Sequence, residues 1–183
     1  VYSNTGGVWT QVGQDIDGEA PFDRFGNSVS LSSDGSLVAI GALENDENGF
    51  SSGHVRIYSN TGGVWTQVGQ DIDGEAELDF SGYSVSLSSD GSVVAIGSPF
   101  NDANGDNSGY VRIYQNQSNN WVKVGQDIDG EAAGDINGYS VSLSSDGSLV
   151  AIGAVGNDGN GSGSGHVRVY ENTGGTWTQI GAD

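Results

Sequence analysis

The chain has no cysteine, no methionine, two prolines, two histidines and five lysines plus arginines among its 183 residues. Without cysteine there is no disulfide framework and no thiolate chemistry. Five cations are too few to track a phosphate backbone, which needs clustered Lys and Arg, so nucleic acid is excluded as a partner. The same shortage argues against anionic membrane surfaces. No apolar run approaches the roughly 20 residues that cross a bilayer as a helix, so membrane insertion is not expected. No helix-length amphipathic pattern occurs either. Catalysis needs unlike groups in unlike environments, and here both histidines, His54 and His166, fall at one repeat position. They are expected to make strand-edge or interblade contacts, and the chain is read as non-enzymatic.

What the chain does have is acid, glycine and repetition. It carries 24 Asp and Glu, 32 Gly and a formal net charge of −19. The segment GQDIDGEA stands at Gly13–Ala20, Gly69–Ala76 and Gly125–Ala132, a period of 56 residues, and VSLSSDGS recurs in the same phase from Val29, Val85 and Val141. Self-similarity at a fixed period of this length decides architecture before any local pattern does. The units are 1–13, a partial blade with its last strand only; 14–69, repeat one; 70–125, repeat two; and 126–183, repeat three with the start of the next linker. A start at Val1, without Met or signal peptide, is expected of a processed or excerpted region.

Each period reads as four strands. In the first, Asn27–Ser32 alternates polar and apolar residues, as a half-buried strand does (strand A). Asp34-Gly35 is expected to form a two-residue type I′ turn into Ser36–Ala42, whose continuous apolar run implies burial on both faces (strand B). Gly53–Tyr58 alternates again (strand C), with Arg56, like Arg112 and Arg168, expected on the strand surface beside the acidic segments. Val64–Gly69 (strand D) carries the tryptophan that recurs as Trp9, Trp65, Trp121 and Trp177, expected to seal the interface between units. Four short antiparallel strands per period predict an all-β tandem array of propeller-type blades. The chain is then either an open fragment or part of a larger β-propeller or repeat array.

These residues resemble the FG-GAP repeat of integrin alpha-chain propellers and of many surface proteins. Phe25-Gly26 stands at the FG position, with Ser81-Gly82 and Asn137-Gly138 in the later copies. Gly41-Ala42-Leu43, Gly97-Ser98-Pro99 and Gly153-Ala154-Val155 stand where GAP is expected. The resemblance implies an extracellular or cell-surface location. Members commonly carry a calcium loop between strands A and B, but Ser32–Ser36 supplies too few oxygens for a calcium cage, so those ligands are not carried over.

In a blade of this topology the D–A and B–C connections share one side. That side then collects every carboxylate except Asp34, Asp90, Asp146, Glu171 and Asp183. Like charges gathered in this way call for a cation or a basic partner. Counting from Asp15 as position one, the repeated segment places oxygens at positions one, three, five and nine. These are Asp15, Asp17, Glu19 and Asp23; Asp71, Asp73, Glu75 and Asp79; and Asp127, Asp129, Glu131 and Asp135. Alternate oxygens in a turning loop can converge on Ca2+, which prefers six to eight of them, with Asp46, Asp102 and Asp158 as further candidates. The competing reading is an interblade linker anchored in the core by Ile16, Ile72 and Ile128 and solvated by its acids. Asn116 and Asn160 fit the N-glycosylation pattern and are expected in surface loops.

Two functions of different class remain. One is an extracellular adhesion or surface-binding module with a protein or glycan ligand, calcium-stabilised through the acidic segments. The other is a structural block that binds copies of itself as a homo-oligomer or longer filament or surface layer, since near-identical repeats reproduce one interface without a unique end.

Overall fold

The computed structural model describes residues 1–182; Asp183, at the start of the next linker, lies outside the described residues. Within them there is no helix, and no segment forms a helix long and apolar enough to cross a membrane. The chain opens with a hairpin of β1 (Tyr2–Thr5) and β2 (Val8–Gln11). The first blade holds β3 (Phe25–Leu31), β4 (Leu37–Ala42), β5 (His54–Thr61) and β6 (Val64–Gln67), with the short β7 (Ile72–Asp73) also on β5. The second repeats this as β8 (Ser84–Leu87), β9 (Val93–Ser98), β10 (Tyr110–Asn116), β11 (Trp121–Lys123) and β12 (Ile128–Asp129). The third consists of β13 (Asn137–Leu143), β14 (Leu149–Ala154), β15 (His166–Thr173) and β16 (Thr176–Ile180). All neighbouring strands are antiparallel and the sheets are open, as four propeller-type strands per period predict.

Three local readings change. The first thirteen residues hold more than strand D, because Tyr2–Thr5 pairs with Val8–Gln11 and supplies the second half of a strand C. The Asp-Gly turn is not type I′: only Gly35 has positive φ, at 71°. Its N–H donates to the Ser32 carbonyl at 2.9 Å, the i to i+3 bond of a four-residue loop in which glycine takes the left-handed position. The Asp34 carboxylate holds that loop, accepting from the Ser36 N–H at 2.9 Å and from the hydroxyls of Ser32 and Ser36 at 2.7 and 2.8 Å. Asn116 ends a strand rather than lying in a loop, and its Oδ1 accepts from the Asn119 N–H at 2.8 Å. Asn160 is exposed between β14 and β15.

The core lies between blades. Ala39, Val55, Ile57 and Ile72 of the first blade pack on Leu87, Val94, Ile96 and Trp121 of the second. Val93, Ala95, Val111, Ile113 and Ile128 pack in the same way on Val150, Ile152 and Trp177. A strand B buried on both faces follows, as its unbroken apolar run requires. The FG and GAP glycines meet at this seam. A Cβ on Gly41 would lie 2.1 Å from the Gly82 carbonyl oxygen, and one on Gly97 would lie 2.1 Å from that of Gly138. Gly82 and Gly138 have φ of 83° and 87°, so one glycine of each pair permits close approach and the other the backbone turn that brings the carbonyl in.

Candidate functional site

In its second and third copies the repeated segment GQDIDGEA is more than an interblade linker, and Ile72 and Ile128, buried in the core, anchor it as the competing reading expects, while Ile16 is half-buried. After a kink at Gly69, which has φ of 77°, Ile72 and Asp73 rejoin strand C opposite Val55 and His54, and Ile128 and Asp129 do the same opposite Val111 and Tyr110. The first half of the segment is a latch. Gln70 Nε2 donates to the Trp121 carbonyl at 2.9 Å, while the Trp121 N–H donates back to Gln70 Oε1 at 3.2 Å. The Trp121 indole N–H donates to the Val68 carbonyl at 2.8 Å. Gln14 with Trp65 and Gln126 with Trp177 repeat the arrangement. Trp65, Trp121 and Trp177 therefore seal the blades as expected, through a polar clamp as well as burial, whereas Trp9 is 67% exposed and does not.

The acids of the segment separate by position. At position one, Asp71 takes a bidentate pair from Arg56, with Nε to Oδ1 at 2.8 Å, and Asp127 takes the same from Arg112 at 2.9 Å. At position five, Glu19, Glu75 and Glu131 reach the arginine of the following blade, Arg56, Arg112 and Arg168 respectively. Arg56 and Arg112 thus each join two copies of the segment, and Arg112 also lies 4.4 Å over the Tyr110 ring. These guanidinium groups are buried, with side chains 7–9% exposed, where surface cations were expected. At position nine, Asp23, Asp79 and Asp135 are buried and accept from Asn45, Asn101 and Asn157 at 3.0, 2.8 and 3.2 Å. Asp79 also caps the Ala76 N–H, and Asp135 those of Glu131 and Ala132. Position three, Asp17, Asp73 and Asp129, is exposed, and Asp15 accepts from Gln11 at 2.9 Å.

Electrostatics follow this division. The Arg56 guanidinium holds Asp71 below the usual carboxylate range. Burial pushes Asp127 up, but hydrogen bonds from Arg112 and Lys123 outweigh it and leave the group lowered. Asp73 and Asp129 are raised, chiefly by desolvation and then by neighbouring acids. The four carboxylates of one segment do not gather on one point. Among the described residues, the group of His, Asp and Glu whose ligand atoms come within 4.8 Å of one another is Glu19, Glu47, His54 and Asp71, drawn from two copies of the segment, the B–C loop and strand C. Asp46 and Asp102 instead accept from the Ser51 and Asn107 N–H groups, both at 2.7 Å, and Asp158 from Gly163 at 2.7 Å, as turn-capping residues do.

Beyond each segment the chain runs along the B–C loops of two blades. The N–H groups of Leu78, Phe80 and Ser81 donate to Phe50, Ser51 and Ser52, and Asp79 binds Asn101 of the next blade. This confirms the shared side for the D–A and B–C connections. Along this belt Phe22, Leu78, Arg24, Phe80 and Ile136 all have positive φ, between 52° and 78°. Such backbone is costly for bulky or β-branched residues, on the order of 1–3 kcal/mol each, and concentrates at binding sites. Phe22 is 88% exposed, Phe50 64% and Leu78 47%. Composition did not reveal this rim, because its residues fill no repeated motif. Their signal lay in isolated large apolar residues inside Asx- and Gly-rich loops.

Residues 15–58 match the family described as FG-GAP repeat. This segment is an FG-GAP repeat. The FG-GAP pattern runs on in the same 56-residue phase through the later copies, with the glycine pair at each blade seam as its structural content. No curated protein matches the chain. In fold it is similar to the Pseudomonas aeruginosa periplasmic gluconolactonase PpgL, at TM-score 0.57 and 17% identity over 93% of this chain and 45% of that one. It is similar to Saccharomyces cerevisiae Sqt1 at 0.55 and 15%, over 87% and 35%. For Kuenenia stuttgartiensis hydrazine synthase the values are 0.52 and 14%, over 84% and 36%. The chain spans less than half of each of these proteins.

Proposed function

We propose that the FG-GAP array is an extracellular, non-enzymatic adhesion or surface-binding module whose belt of D–A and B–C connections docks a protein or glycan ligand. The observation that carries this reading is the exposure of Phe22, Phe50 and Leu78 on a belt that also bears Glu44, Asp46 and Glu77. Apolar groups rimmed by charge mark interaction sites, and an acid surround selects cationic protein patches, while flat aromatics suit sugar rings. Calcium stabilisation through the repeated segment draws less support, since arginine, asparagine or backbone groups engage three of its four acidic positions. The combined substitution Phe22→Asn, Phe50→Ser and Leu78→Asn alters exposed side chains only. Adhesion of the chain to surfaces coated with glycans or basic polypeptides should fall at least about tenfold in this variant, the loss of about 1.4 kcal/mol. Undiminished adhesion by a folded variant, or none by the native chain, overturns the reading.

A second reading, assembly of chains end to end, has its own observation. Leu31 is 49% exposed where its equivalent Leu87 is 7%, and Val167 is 65% exposed where Val55 and Val111 are 0%. The two ends of the array therefore present complementary halves of the internal blade interface, the heterologous kind of contact that propagates.

A further inference from the structure

At the start of β5, His54 is 1% exposed, and neither Nδ1 nor Nε2 has a hydrogen-bond partner. A buried imidazole leaves two polar atoms to satisfy, and buried polar groups without partners are uncommon enough to need a specific cause. The ring faces a cluster of acids. Its ligand atom and one carboxylate oxygen each from Glu19, Glu47 and Asp71 all lie within 4.8 Å of one another. Asp71 is held rigidly by Arg56 and by Gln67 Nε2 at 2.6 Å, the kind of outer support that orients ligating carboxylates. Glu47 and Glu19 are exposed, and Glu19 also pairs with Arg56. Three carboxylates against the single Arg56 guanidinium leave two negative charges. The imidazole ligates metals in its neutral form, the form that burial, and then Arg56, favour at His54.

The other blades show what the same fold does without this set. In the second, the position of His54 is Tyr110, whose hydroxyl bonds Asp79 at 3.4 Å and whose ring carries Arg112, and the position of Glu47 is Ala103. In the third, His166 is present but Gly159 replaces the glutamate. The first blade alone therefore combines the imidazole with three acids among the described residues. One nitrogen with carboxylate oxygens suits a first-row transition ion, whereas calcium takes oxygen alone.

We propose that His54, Glu19, Glu47 and Asp71 form a binding site for one divalent first-row transition-metal ion of the zinc class, joining the first two copies of the acidic segment. The site is independent of the aromatic rim and of adhesion. Isothermal titration calorimetry of the whole chain with zinc chloride, in excess calcium chloride to occupy diffuse acidic sites, should find one zinc per chain. His54→Tyr and Glu47→Ala install the residues that the second blade already carries, so the fold tolerates both, and metal-free thermal melting checks that it does. Each should weaken zinc at least about tenfold, as loss of a direct ligand requires at a minimum. Cobalt(II) should show visible ligand-field bands that His54→Tyr alters. If His54→Tyr fails to fold, Glu47→Ala, in an exposed loop, carries the decision. Native binding no tighter than that of the folded variants, or no saturable zinc binding at all, overturns the proposal.

Discussion

At the residue scale, single polar groups define the turns and seams. Asp34 accepts three hydrogen bonds in its turn, and these hold its pKa at about 2, below the ordinary 3.8, with the Ser36 N–H the largest cause. Asp146 is likewise lowered to about 2, there with the Ser144 hydroxyl first. A depressed carboxylate stabilises the fold at pH above its unfolded value and loses that contribution as pH falls through its folded value. These two turns should therefore stay intact down to about pH 3.8 and lose their contribution between there and about 2. Carboxyl-carbon NMR titration checks this, and an Asp34 midpoint near 3.8 would refute the turn geometry. The loop could be anticipated from Asp-Gly, but not its type, because the serines that hold Asp34 read as mere strand ends.

At the element scale, strands were legible and their continuation was not. Alternation in Asn27–Ser32 and the apolar run of Leu37–Ala42 follow directly from period two and from burial on both faces. GQDIDGEA read as a linker because acid and glycine dominate it. The alternation Asp71-Ile72-Asp73 was nonetheless a strand signal, and pairing with His54 and Val55 across the kink completes it. The arginines were misplaced for a related reason. Charge on an alternating strand normally faces water, yet two acids from separate copies surround the guanidinium of Arg56 and that of Arg112 and make burial tolerable. The glycine pair gives a sharp test. Gly97→Ala puts a methyl against the Gly138 backbone 2.1 Å away and should cost on the order of 1–3 kcal/mol. Gly153→Ala meets only the Ser140 hydroxyl at 2.4 Å, which can rotate away, and should cost less than about 1 kcal/mol. Equal costs by chemical denaturation would remove the seam from the explanation of the FG-GAP pattern.

At the scale of the whole molecule, each blade completes its core with its neighbour, so stability is a sum of interfaces. The exposed Leu31 and Val167 faces should drive concentration-dependent growth in analytical ultracentrifugation. Leu31→Lys with Val167→Lys should abolish it by placing like charges across the contact. A native chain of constant mass over the accessible concentration range would dismiss end-to-end assembly and leave the belt as the functional surface.

The 56-residue period, the all-β class, four strands per unit and the tryptophan seal were determined by sequence alone, because periodicity and turn chemistry are local and each copy repeats the last. Only the tertiary structure decided which acids meet arginine, which are buried with asparagine, and that His54 faces Glu19, Glu47 and Asp71. Those partners come from different copies and opposite ends of a blade. Their meeting depends on the kink at Gly69 and on the stacking of one blade against the next, and spacing along the chain encodes neither.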